Sequence, residues 1–94
     1  MEFVASKQVQ IVNPNGLHAR PAYLFARMAS RFTSRVEIVK DDQRVDGKSI
    51  LEILMLAATC GTTLTIEASG SDDREAVEAL ARLLEQGDPL DKSD

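Results

Sequence analysis

Polar and apolar residues alternate in part of residues 4–12, a segment with β-branched residues, which puts Val9 and Ile11 on one side and predicts a β-strand. Asn13-Pro14-Asn15-Gly16 ends the run as a turn. From about residue 19 to residue 32 the period changes. Ala22, Phe25, Met28, Ala29 and Phe32 recur at helical spacing, while Arg20, Arg27 and Arg31 fall on a different stripe, so the segment reads as an amphipathic helix. Pro21 belongs in its first turn, where a missing amide costs little, so the helix is expected to begin at His18 or Ala19.

Residues 35–40 alternate again, with Val36 and Ile38 facing one way and Arg35 and Glu37 the other. Asp41-Asp42 then turns the chain into a short strand around Arg44 and Val45, giving a hairpin. Residues 49 to about 58 read as a second helix, with Ser49 as N-cap and Gly61 ending it. Residues 63–68 form a further strand with Leu64, Ile66 and Ala68 on one face. In the last helix, Asp72 and Glu75 have capping-box spacing, and Ala76, Val77, Leu80, Leu83 and Leu84 form the buried stripe until Gly87 and Pro89 stop it.

The order is β-α-β-β-α-β-α. Strands apolar on one face only belong to a sheet covered on one side, so the expected class is α+β. The economical arrangement is a two-layer open-faced sandwich: a four-stranded, mostly antiparallel sheet with three helices over one face. Residues 1–87 make this single domain and residues 88–94 read as a flexible acidic tail.

Composition narrows the function. The 94 residues are 44% apolar and 28% charged, a balance that builds a core and argues against a disordered chain. One cysteine, Cys60, forms no internal disulfide, which fits a reducing cytoplasm, and with one histidine it supplies too few ligands for a structural zinc site. The longest nearly apolar stretch, residues 50–60, is too short to cross a bilayer and is broken by Glu52. No export signal is read at the N-terminus, and the expected location is cytoplasmic. A net charge of −4 and 4% aromatic residues disfavour nucleic acid as a partner.

That net charge hides a gradient. Residues 1–49 carry eight Lys and Arg against five Asp and Glu, and residues 50–94 carry three against ten. A locally basic half suits an anionic ligand or an acidic partner, while a solvated acidic C-terminal helix is the plainer reading.

His18 sits where the glycine turn meets the first helix. Free amides and the positive dipole end favour an anion there, and Arg20 adds a guanidinium two residues on, so a phosphoryl group is the natural ligand. The same field disfavours imidazolium, and a neutral ring offers a nucleophilic lone pair. General-base work is the weaker alternative, because no orienting carboxylate lies within the motif; a surface histidine that merely caps the helix is the bland one. Arg27 and Arg31, further along the Arg20 stripe, would steer an acidic partner or simply be solvated.

Ser49, beside Lys48, occupies a helix start where a phosphate would also be favoured, and a plain N-cap is compatible with that. Gly47-Lys48-Ser49 is no P-loop, because Asp42 stands where the motif needs its first glycine. The second helix is apolar nearly all round, so some of its side chains must emerge as a patch. Cys60 is expected to be buried by packing, and Tyr23 has no assigned role.

The segment Asn15-Gly16-Leu17-His18-Ala19-Arg20-Pro21-Ala22 closely resembles the active-site segment of the histidine-containing phosphocarrier HPr family of the bacterial phosphoenolpyruvate-dependent phosphotransferase system. The order of elements, Gly47-Lys48-Ser49-Ile50 and Gly70-Ser71-Asp72-Asp73 extend the likeness over nearly the whole chain. The resemblance implies a relay. His18 would accept a phosphoryl group on Nδ1 from phospho-enzyme I and pass it to a histidine of an enzyme IIA domain, with Arg20 stabilising the phosphate and Pro21 starting the helix.

It further implies that Ser49 is the regulatory serine modified by an HPr kinase/phosphorylase. Ile50, Leu51 and Leu54, with Lys48 and Arg27, would form the partner-docking surface; the alternative for the three apolar residues is that they pack under the acidic tail. The expected protein is a monomeric covalent carrier with no cofactor, no metal and no membrane insertion, rather than an independent catalyst. A nitrogen-type regulatory phosphocarrier is the nearest alternative, and a small ligand-binding regulatory domain is the alternative from a different class.

Overall fold

The alternating segments become four strands: β1 (Val4–Gln10), β2 (Arg35–Lys40), β3 (Gln43–Asp46) and β4 (Thr63–Ser69). The computed structural model describes residues 4–88. Three helices connect or follow them: α1 (Ala19–Ala29), α2 (Ile50–Met55) and α3 (Asp73–Gln86). The sheet order is β1-β4-β2-β3 and all three pairings are antiparallel, so the expected open-faced sandwich holds. No helix among the described residues is long and apolar enough to cross a membrane.

The core is the covered face of that sheet. Val9, Val36, Ile38, Leu64, Ile66 and Ala68 are buried there against Ala22, Phe25 and Ala29 of α1, Ile53 of α2, and Ala76, Val77, Leu80 and Leu84 of α3. Leu83 is only half-buried at the edge of this cluster. On the open face the register sets Glu37 opposite Glu67, two like charges that would repel. Arg44 of the neighbouring strand offsets this by pairing with both, at 3.0 Å to Glu37.

Several boundaries differ from the sequence reading, each for a local reason. α1 ends at Ala29 rather than near residue 32, because the chain tightens there into i→i+3 bonds, Arg31 to Met28 and Phe32 to Ala29. The Lys48 ammonium then takes the Phe32 carbonyl at 2.9 Å. α2 is only six residues long. Its stop is Ala57, at φ +50, well before Gly61, and the Lys40 ammonium accepts the role of C-terminal partner by donating to the Leu56 carbonyl at 2.9 Å.

Asp72 does precede α3, but its carboxylate makes no capping bond. It turns instead to the backbone N–H groups of Thr33 and Ser34, each at 2.9 Å, and to the Ser34 hydroxyl, tying the start of α3 to the start of β2. These donors hold the Asp72 carboxyl down at about 2, the Ser34 hydroxyl contributing most. Cys60 is exposed, not buried, because the early end of α2 leaves it on a surface loop.

Candidate functional site

His18 is the N-cap of α1, with extended backbone (φ −87, ψ −168) and its carbonyl accepting the first helical bond from Ala22 N–H at 3.0 Å. Its side chain makes no capping bond to the helix. The residue is part-exposed while Nε2 is shielded from solvent, so the accessible part of the side chain lies elsewhere than at Nε2. The amides of Ala19 and Arg20 precede the helix's own hydrogen-bond ladder, and Pro21, buried, has none to lose.

The loop that carries His18 is held by the loop after α2. Ile11 N–H bonds to the Thr62 carbonyl at 2.9 Å, Gly61 N–H to the Ile11 carbonyl at 2.8 Å, and Leu17 N–H to the Ala58 carbonyl at 2.9 Å. Gly16, at φ +72, lies against Ala58, and Leu17 is buried beneath it. The histidine is thus presented from a braced turn.

Arg20 is half-exposed, and its Nη1 pairs with Asp88 Oδ2 at 3.0 Å. Asp88 is the first residue of the segment read as a tail, yet its side chain is 4% exposed and its backbone N–H donates to Asn13 Oδ1 at 2.7 Å. Residues 89–94, the rest of that segment, lie outside the described residues. Asn13 is itself buried, and together with Pro21, Leu24, Leu83 and Leu84 it lines a small cleft beside Asp88. Sequence reasoning missed both Asn13 and Asp88 as members of the site, and no local signal marks them: Asp88 stands 68 positions from Arg20 and 75 from Asn13.

Ser49 caps α2, its Oγ accepting from Glu52 N–H at 3.2 Å, and Glu52 reaches back to Asp46 N–H at 3.0 Å. Arg27, Lys48 and Ile50 come together along a cleft between α1 and α2 that Tyr23, Ala26 and Ser30 also line. Tyr23, unassigned from sequence, here accepts from Arg27 Nη1 at 3.3 Å. Arg27 is an exposed residue, whereas Lys48 is tethered to the Phe32 carbonyl. Ile50, Leu51 and Leu54 are exposed, Leu51 by 72%, and Met55 joins them at 66%, which makes an apolar patch on α2.

Comparison with known proteins agrees with this geometry. The family profile described as "PTS HPr component phosphorylation site" matches residues 5–86. The phosphocarrier protein HPr of Neisseria meningitidis is 45% identical over 78 residues, covering 83% of this chain and 88% of that protein. The crystal structure of HPr from Bacillus anthracis superposes with a TM-score of 0.82 at 46% identity, covering 86% of this chain and 96% of that one. Crh, a catabolite-repression protein of Bacillus subtilis crystallised as a swapped dimer, superposes with a TM-score of 0.72 at 42% identity, covering 85% and 92%. With the profile spanning the domain from β1 to the last turn of α3, the chain belongs to the HPr family of phosphocarrier proteins of the phosphotransferase system.

Proposed function

We propose that this chain accepts a phosphoryl group on His18 Nδ1 from phospho-enzyme I and delivers it to a histidine of an enzyme IIA domain. The observation that carries the reading is His18 standing part-exposed at the start of α1, with Nε2 turned away from solvent. In the transfer, the Nδ1 lone pair forms the new N–P bond as the donor's N–P bond breaks, and that electron pair stays with the donor imidazole. Amides at the start of α1 and the Arg20 guanidinium offset the phosphoryl charge in a site still open to water, which keeps the group transferable.

Partners dock on the exposed Ile50, Leu51 and Leu54, with Arg27 and Lys48 at the border meeting acidic groups. Ser49 starts the same helix, so its phosphorylation by an HPr kinase/phosphorylase would add charge and hydration to a surface that must dry on binding. The chain acts in the cytoplasm as a monomer. Light scattering on the purified protein checks this against the swapped arrangement of Crh.

Incubation with enzyme I and labelled phosphoenolpyruvate tests the function. Wild type acquires acid-labile label, His18→Ala acquires none, and Ser49→Asp acquires it more slowly. Absence of label on wild type refutes the carrier role and favours a small ligand-binding regulatory domain. A regulatory use of the carrier, as in the nitrogen-type branch, is separated by which enzyme IIA domain accepts the label.

A further inference from the structure

The guanidinium assigned to the phosphoryl group is already engaged by a carboxylate. Resting on the carrier reading of His18, we infer that Asp88 competes with the phosphoryl group for Arg20, so that the Arg20–Asp88 pair sets how firmly the chain holds the group it carries. The two partners differ in freedom. The Asp88 side chain is 4% exposed and the Arg20 side chain 49%, so the carboxylate is the seated member and the guanidinium the movable one.

The seat is built from elsewhere in the fold. Asn13, buried in the turn before His18, accepts the Asp88 N–H at 2.7 Å, which locks the residue after α3 to the loop that presents the histidine. Asp88 therefore acts through Arg20 as a positioning residue, with Asn13 as its support.

Phosphorylation changes the balance of charge at this point. A phosphoryl group brings up to two negative charges and three acceptor oxygens within two residues of Arg20, against one charge on Asp88. The guanidinium shifts toward the stronger anion, and Asp88 is left facing a group of its own sign. Both effects raise the free energy of the phosphorylated form relative to a chain without the carboxylate, and both favour onward transfer. A carrier gains from this, since an arginine wholly committed to the phosphate would slow delivery.

The test uses the full chain equilibrated with enzyme I, phosphoenolpyruvate and pyruvate at fixed ratio, with the phosphorylated fraction read by intact-mass spectrometry. Asp88→Asn keeps the shape and an acceptor oxygen for Arg20 but removes the charge. Its equilibrium constant for phosphorylation should rise about threefold, the size expected for a half-exposed ion pair, and its rate of delivery to an enzyme IIA domain should fall. In an Arg20→Ala background the same substitution should shift the equilibrium less, an outcome that a purely structural role for Asp88 would not produce. A wild type that takes up no phosphoryl group refutes the carrier reading and this inference together. A wild type that is phosphorylated while Asp88→Asn leaves the equilibrium unchanged, or shifts it the other way, or shifts it equally with and without Arg20, refutes this inference alone.

Discussion

Replacing Gly16 by alanine tests whether the His18 turn is braced by the loop after α2. Gly16 has φ +72, and an added Cβ would lie 3.0 Å from Thr59 Cα and closer still to the Ala58 carbonyl oxygen, both backbone atoms that cannot swing away. Gly61 supplies the control. It also has a left-handed backbone, φ +92, but a Cβ there meets nothing within 4 Å.

Gly61→Ala should therefore show the backbone penalty alone, about 1 kcal/mol. Gly16→Ala adds about 1–3 kcal/mol of overpacking. It also strains the Leu17–Ala58 hydrogen bond, worth about 1 kcal/mol. Its total of about 3–5 kcal/mol is a large fraction of the stability of a domain this size. Urea titrations report the difference of about 2–4 kcal/mol directly, with the Gly16→Ala midpoint lower than that of Gly61→Ala by about 1–4 M for a slope near 1–2 kcal/mol per molar. Coincident midpoints would show that the two loops yield to each other and that the turn is not braced.

Acid should unfold the chain partly through Asp72. Its folded value of about 2 lies below the ordinary 3.8, so the clamp on Thr33 and Ser34 contributes above 3.8 and is lost as pH falls toward 2; Asp72→Asn should be less stable at neutral pH and flatter across that window, and urea midpoints that keep the wild-type acid slope would refute this. Ile53, fully buried in α2, should lose about 2–5 kcal/mol on truncation to alanine, read as a drop in thermal midpoint. Leu51→Ala on the same helix, at a residue 72% exposed, should stay within about 0.5 kcal/mol of wild type while raising the KM for phosphoryl acceptance from enzyme I; an unchanged KM would remove the α2 patch from the docking surface.

What could be read along the chain was whatever depends on neighbours within a turn or a strand. Alternation located β2 and β4, and the helical stripe located α1, because side-chain direction follows local backbone period. The N-cap positions of His18 and Ser49 were legible for the same reason. Ends of helices were less so. α2 stops where Lys40 reaches the Leu56 carbonyl from 16 positions away, a contact that no window around Ala57 contains.

The strand order β1-β4-β2-β3, the diversion of the Asp72 carboxylate from its own helix to Ser34, and the meeting of Asn13, Arg20 and Asp88 were decided only by tertiary structure. Each joins residues far apart in the chain, and such contacts answer to which surfaces pack, not to local preference. The amino-acid order by itself determined that the histidine would stand at the start of the first helix, two residues before an arginine. Packing decided which carboxylate that arginine would meet, because only the folded chain carries the end of α3 back to the turn before α1.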